Sequence, residues 1–453
     1  MTATFVVITD SDWAEVRTAL FTEDGTENAG VLLCGLSRGN SEHRLLVRRF
    51  MAVPPELYVT RNNYHLEISP QFYNQIIDEC LRQHLSPVII HSHPGQTHAW
   101  YSGSDDYGEE RLLPVLQSLL PEALPASLVV TPGAATGRSR SGDAFVPLSG
   151  LKILGQHSQI LNFAEPALPH ISDVFDRQAR AISVSGQARL QSLKIGVVGV
   201  GGTGSLVVEQ LARVGVRDMV LIDPDVIEQS NISRLFGAKL SDVGKEKVNV
   251  AAHNASELGA DPIVPIFDTA TSQEILLALR DRDVVFSCVD NDKSRAVLNR
   301  FSYQYLVPVV DMGIRLDGRK GTIRSAAGRV VIVGSGMSCL RCSHHLSPER
   351  IRAESLSRQE RMALAQEGYI MGIDTPTPAV VSLNTVVCGL GVTAALNMFV
   401  RLTGGTQPVE QLYDATSGSV FTATDVHEDG CDVCDAVSGV KGLGDLQIVS
   451  AYD

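Results

Sequence analysis

The run KIGVVGVGGTGS, residues 194–205, constrains this chain more than any other stretch. A short apolar strand pattern meets Gly199, Gly201, Gly202 and Gly204, and GSLVVEQLARVG (204–215) then follows with helical spacing. A strand that turns sharply into a helix opens a βαβ unit. The next strand, DMVLIDPD (218–225), brings up Asp223, while DVVFSCVD (283–290) and VPVVDMGI (307–314) read as further buried strands. A parallel α/β domain is therefore expected from about residue 173. The glycines let backbone approach a phosphate, the helix N-terminus favours an anion, and Asp223 can accept ribose hydroxyls. Alone, this spacing does not say which nucleotide, since NAD, FAD and ATP proteins all use it.

The residues beyond it favour a triphosphate. DPDVIEQSNISRLF (223–236) and DVGKEKV (242–248) bring Asn231, Arg234 and Lys247 close behind Asp223. Two cations suit β- and γ-phosphate oxygens that must be neutralised for attack at the α-phosphorus. Asp290, ending its strand, can hold Mg²⁺. A nicotinamide-dependent oxidoreductase is the competing expectation; it leaves Arg234 and Lys247 without a task, and an NAD titration separates the two.

The segments GxGGxGS (199–205), DPD (223–225), NISR (231–234), GKEK (244–247) and CVDN (288–291), in that order, resemble the ThiF/MoeB and ubiquitin-activating-enzyme superfamily over roughly residues 170–435. The stretch FDRQARAISVSGQARLQSLKI (175–195) is similar to that family's entry segment. The resemblance implies a Rossmann-like adenylation domain using ATP and Mg²⁺. Asp223 would bind ribose, Asn231, Arg234 and Lys247 would contact phosphates, and Asp290 would be the Mg²⁺-linked acid. Arg177 would reach the γ-phosphate across a homodimer interface. The reaction implied is adenylation of the C-terminal carboxylate of a ubiquitin-like protein.

Of eight cysteines, Cys339, Cys342, Cys431 and Cys434 form two CxxC pairs, and Cys34, Cys80, Cys288 and Cys388 stand singly. Paired CxxC without a secretion signal reads as metal binding. The four resemble the superfamily's structural zinc site. Activators that form a thioester carry a reactive cysteine in the crossover region, yet residues 343–387 contain none. Cys388 reads as a buried thiol in an apolar helix, and Cys288 as structural. After adenylation, a partner's thiol, a sulfur donor, or a hydroxyl such as Thr375 or Thr377 remains as acceptor.

Upstream lies a different chemistry, in HSHPGQTHAWYSGSDD (91–106). The strand SPVIIHSH (86–93) can point His91 and His93 to one side, and Asp105 can return on the following turn. That gives three ligands for a catalytic zinc with an open fourth position. Ser102 can support an oxyanion, and Glu27 in TENAGVLLCG is placed to be the base, with Glu23 as competitor and His98 as a rim residue. Glu27, His91, His93, Pro94, Ser102 and Asp105 resemble the JAMM (JAB/MPN) metalloprotease motif of deubiquitinating enzymes. That resemblance implies Glu27 as general acid/base, His91, His93 and Asp105 as zinc ligands, and Ser102 as oxyanion support. Eight residues separate His93 from Ser102, one more than in the proteasome-lid members.

In the same region GVLLCGL (30–36) and HRLLVRRFMAV (43–53) read as strands, PQFYNQIIDECLRQH (70–84) as a helix, and TPGAATGRSRSGD (131–143) as an exposed loop. The expected organisation is a JAMM-like α/β domain over 1–157, a linker over 158–172, and the adenylation domain over 173–453. The whole resembles bacterial fusions of these two domain types. It implies two zinc ions, one catalytic and one structural, a small β-grasp ubiquitin-like partner and a conjugating-enzyme-like protein. Activation of a sulfur-carrier protein and a non-catalytic binding module are the alternatives. A net charge of -13 disfavours nucleic acid and anionic membranes as partners. With no signal peptide and no run near 18 apolar residues, neither export nor a membrane span is expected, and the cytoplasm is the expected compartment.

Overall fold

In the computed structural model the described residues are 2–435, apart from 63–64, 165–170, 320–321, 358, 362–377, 403–407 and 425. Thr375 and Thr377 lie outside them, as does the end of the expected second domain. Two compact units are present, one within Met1–Ala167 and one built from most of the chain that follows.

The first unit contains β1 (Ala3–Thr9), α1 (Asp10–Leu20), β2 (Ala29–Arg38), β3 (Glu42–Ala52), β4 (Tyr58–Arg61), β5 (Leu66–Ile68), α2 (Pro70–Gln83), β6 (Ser86–Ser92), α3 (Gly103–Leu119), β7 (Ala126–Val130), β8 (Ala135–Ser141), β9 (Ala144–Pro147), β10 (Gly150–Leu154) and β11 (Gln159–Asn162). Nine of these strands form one mixed sheet in the order β11-β10-β1-β3-β2-β6-β7-β8-β9, and β4 pairs with β5. Period-two alternation loads both faces. Leu32, Val88, Ile90 and Leu128 pack against Trp13, Val16 and Leu20 of α1. Val31, Leu33 and Ile89 point the other way, onto Phe72 and Ile76 of α2 and Leu113 and Leu116 of α3.

Two expectations need correction here. Residues 131–143 are not an exposed loop: β8 pairs antiparallel with β7 and with β9. Its glycine is a packing feature, because a Cβ at Gly137 would stand 2.5 Å from Leu128 Cδ2. Its Arg138 is held by partners described below. The proposed linker over 158–172 begins inside the sheet, since β11 pairs with β10, Leu161 opposite Leu151.

The second unit contains α4 (Asp176–Ser192), β12 (Lys194–Val198), α5 (Gly204–Arg213), β13 (Asp218–Ile222), α6 (Lys247–Glu257), β14 (Ile263–Ile266), α7 (Gln273–Leu279), β15 (Val284–Ser287), α8 (Asp292–Tyr305), β16 (Val309–Arg319), β17 (Thr322–Val333), α9 (Pro348–Ser355), α10 (Val381–Val400), β18 (Glu410–Asp414) and β19 (Ser419–Ala423). The sheet runs β14-β13-β12-β15-β16-β17-β18-β19. Its first five strands are parallel and the rest antiparallel. Connections leave β12 toward β13 on one side, while β15 flanks it on the other. That reversal opens a crevice at the C-terminal strand ends.

α10 lies against α5, β16 and β17. It is long and apolar enough to cross a membrane by length and composition, contrary to the expectation above, and 61% of its apolar window is buried within the fold.

Candidate active sites

In the first unit, strand alternation does what the His-x-His pattern requires. Ser92 turns inward, donating to Leu20 O (2.8 Å) and accepting from Asn28 N (3.0 Å). His91 and His93 take the opposite side, their rings 5.0 Å apart. Ser102 caps α3, accepting from Asp105 N (3.2 Å), and so places Asp105 in the first turn. The ligand atoms of His91, His93 and Asp105 all lie within 4.8 Å of one another. His91 Nε2 is buried and 3.2 Å from Asp105 Oδ1, without the alignment of a hydrogen bond. A buried imidazole nitrogen left in that state, beside a second imidazole and a carboxylate, fits a zinc ion.

Glu27 lies two residues before β2, and its Oε1 is 3.7 Å from His93 Nε2. Arg61 Nε donates to its carbonyl (3.3 Å). Burial pushes the Glu27 carboxyl above its usual range, against the opposing charge of His91. For Asp105 burial acts upward too, but His91 and the Ser102 hydrogen bonds outweigh it and hold the carboxyl well below the usual range. Burial lowers the His93 imidazole, disfavouring its protonated form. Glu23, the competing base, is exposed, and so is His98. The Ser102 hydroxyl donates to Asp105 Oδ2 at 2.7 Å and so orients that carboxylate. Trp100 was not singled out from the sequence. It stands edge-on to His93, centroids 5.9 Å apart, and its only signal was an aromatic inside the ligand-bearing loop.

In the second unit, the loop after β12 follows the glycine pattern. Gly199 has φ +85°, and a Cβ at Gly204 would stand 1.8 Å from Gly199 O. A Cβ at Gly201 would meet nothing within 4 Å, so that side of the loop is open. Asp223 is buried after β13; its Oδ2 accepts from Val200 N (2.6 Å) and its Oδ1 from Asp225 N (2.9 Å). Burial raises its carboxyl, although Lys247 opposes the shift. Lys247 opens α6, with Nζ 3.8 Å from Asp223 Oδ1 and 2.6 Å from Asp225 Oδ2. Arg234 packs across Gly202, 3.3 Å from a Cβ built there, and donates to Ser230 O (2.9 Å). Asn231 is buried, its Oδ1 accepting from Glu228 N (3.3 Å). That holds its amide oxygen in its own turn, while its Nδ2 donates to Ser230 Oγ (3.2 Å).

Asp290 is exposed at the end of β15 and makes no hydrogen bond or ion pair among the described residues. A free carboxylate at that edge suits a hard cation. Arg177 is exposed in the first turn of α4, likewise without an ion pair among the described residues.

The four paired cysteines converge. Cys339 and Cys431 Sγ are 3.7 Å apart, as are Cys342 and Cys434. A disulfide needs about 2 Å. Four thiolates at ~2.3 Å around one zinc stand ~3.8 Å from each other, so the spacing fits a closed tetrahedral site. The single cysteines are not poised for attack. Burial pushes Cys388 up to about 12, its Sγ donates to Thr203 O (3.2 Å), and burial raises Cys288 far above the usual range.

The chain is 32% identical over 181 residues to the adenylyltransferase and sulfurtransferase uba4 of Aspergillus clavatus, covering 38% of this chain and 37% of that one. It is 31% identical over 180 residues to the SAMP-activating enzyme E1 of Haloferax volcanii, covering 38% and 63%. Among solved structures, E. coli MccB with AMPCPP and MccA aligns with a TM-score of 0.48 at 17% identity, over 59% of this chain and 75% of that one. The chain thus spans less than two thirds of the length of these sequence relatives. The model of the ThiF family matches residues 175–430, more than half of the chain. On that match, this chain belongs to the ThiF family.

Proposed function

We propose that residues 173–453 adenylate the C-terminal carboxylate of a small ubiquitin-like protein with ATP, and that residues 1–157 form a JAMM-like zinc hydrolase that trims or releases the same partner. The observation that carries the first half is the convergence of the open glycine loop, buried Asp223, Arg234, Lys247 and free Asp290 along one edge of the parallel sheet. Asp223, fixed by Val200 N, presents a carboxylate for ribose hydroxyls. Lys247 and Arg234 exchange present partners, Asp225 and the Ser230 carbonyl, for phosphate oxygens. Mg²⁺, when bound, supplies neutralisation of phosphate charge, and Asp290 is the group to hold it. The partner's carboxylate then attacks the α-phosphorus, and pyrophosphate leaves.

A homodimer that brings Arg177 to a neighbouring site is part of the proposal. Exposed Val174 and Val184 flank Arg177, and exposed Phe236, Leu240 and Val243 lie on the loop after Arg234. These are apolar surfaces that association covers. A cytoplasmic setting also belongs to it, supported by thiols at zinc spacing that a reducing compartment keeps free.

In the first unit, zinc, when bound to His91, His93 and Asp105, supplies Lewis acidity at a scissile carbonyl. Glu27 accepts and returns a proton beside it, and the burial that raises its carboxyl suits that exchange. Ser102 keeps Asp105 in place.

ATP–pyrophosphate exchange with a ubiquitin-like protein ending in an exposed glycine tests the first half. Exchange that needs both the partner and Asp290 is expected. No exchange with a trimmed partner would remove adenylation and leave the hydrolase as the main activity. One observation favours a second version. None of the eight cysteines is exposed, so the activated tail goes to an acceptor outside this chain's thiols, either a conjugating-enzyme-like protein or a sulfur donor. Mass spectrometry of the partner separates a thiocarboxylate from a conjugate.

A further inference from the structure

The loop Cys288–Asn291 carries Asp290 between two fixed points. Downstream, Asn291 Oδ1 accepts from Ser294 N at 2.8 Å, tying the loop to the start of α8. Upstream, Arg295 reaches back from α8, and its Nη2 donates to Val289 O at 2.7 Å. The same guanidinium is anchored in the other direction. Its Nε forms an ion pair with Asp311 Oδ1 at 3.3 Å, without the alignment of a hydrogen bond, and its Nη1 lies 3.5 Å from Asp292 Oδ1.

Asp311, on β16, has no solvent exposure, and also accepts from Ser287 Oγ (2.8 Å) and Arg329 Nη2 (3.0 Å). A carboxylate so buried is tolerable only when paired and hydrogen-bonded, which fixes its place. Gly313 leaves room for the arrangement, since a Cβ there would stand 3.3 Å from Arg295 Nη2. A planar fork can bridge a carboxylate and a carbonyl at once; an ammonium cannot.

We infer that Arg295, anchored on buried Asp311, is a positioning residue that fixes the loop presenting Asp290. It acts through the Val289 carbonyl rather than by touching nucleotide. The inference rests on the adenylation reading, in which Asp290 holds the cation. Removing Arg295 leaves Asp311 with Arg329 and Ser287, so the fold has reason to survive.

The test is calorimetric binding of ATP to the full chain as Mg²⁺ is varied. Asp290→Ala is expected to raise the Mg²⁺ needed for half-maximal binding. Arg295→Met is expected to raise it by about tenfold, the usual scale for a group behind a metal ligand. Its ATP affinity at saturating Mg²⁺ should stay unchanged. Arg295→Lys keeps the charge for Asp311, loses the bridge, and should shift the Mg²⁺ requirement in the same direction. It decides the matter if the methionine variant does not fold. The double variant with Asp290→Ala should be no worse than Asp290→Ala alone. A normal Mg²⁺ requirement in both Arg295 variants, with Asp290→Ala impaired, overturns the inference alone. A normal requirement in Asp290→Ala overturns the assignment of Asp290, and the inference with it.

Discussion

Arg138 is a cation whose neighbours decide its meaning. Its Nε donates to Glu109 Oε2 at 2.7 Å, its Nη1 lies 2.7 Å from Asp106 Oδ1, and its guanidinium sits 3.7 and 3.8 Å from the ring centres of Tyr101 and Phe145. These partners belong to α3, to the loop before it and to β9, so Arg138 pins the helix that presents Asp105. Replacing it with alanine leaves Glu109 buried and unpaired. Arg138→Ala should cost about 3 kcal/mol, read as a lower urea midpoint at unchanged slope. Nothing in GRSRSG announces this, because the partners come from distant segments. The clustering of the three candidate ligands was legible for the opposite reason. His91, His93 and Asp105 sit on one short stretch whose strand and cap geometry is local. His93→Ala should therefore lower bound zinc by about one ion per chain, the number expected for one three-ligand site. Elemental analysis of purified protein checks this, and no change would remove the first unit's metal assignment. Ser102 was legible in position; its hydrogen bond to Asp105, which orients that carboxylate, was not.

Among the elements, strands and helices with strong periodicity were readable and the edges of sheets were not. β12, α5 and β13 lie where the glycine pattern and apolar runs put them. β8 and β11 were missed because each borrows its pairing from a neighbour and carries little apolar alternation of its own. Helix α10 shows what tertiary contact adds. A Cβ at Gly391 would stand 2.2 Å from Met312 Sδ on β16, and one at Gly328 on β17 would stand 2.2 Å from Val387 Cγ2 on α10. The helix seats on the sheet through these two missing side chains. Gly391→Ala should destabilise the second unit by about 1–3 kcal/mol through overpacking, despite alanine's better helix propensity. Thermal denaturation distinguishes this from the small gain an uncrowded helix would show.

Across the whole molecule, the two candidate sites share no residue, and each had its own motif in the sequence. The four-cysteine cluster acts at a larger scale, joining Cys339 and Cys342, after β17, to Cys431 and Cys434, after β19. Under the proposal that it holds a zinc, chelation should lower the second unit's thermal midpoint. Calorimetry before and after chelation measures this, with Cys434→Ser as the matched variant. An unchanged midpoint would mean that the cysteines hold nothing structural. Helix α10 bears on how the molecule is made. Its residues 381–400 are synthesised after β16 and β17, the strands it covers. At ~5–20 residues per second, the interval from β16 to α10 lasts roughly 5–20 s. Throughout it, the α10 side of β16 and β17 is expected to stay wet and sticky on the ribosome. The first unit, whose strands end at Asn162, can finish folding in that time. Nascent chains halted near residue 375 should thus bind holdase chaperones through the second unit while the first already resists protease, and chains halted well past residue 435 should not.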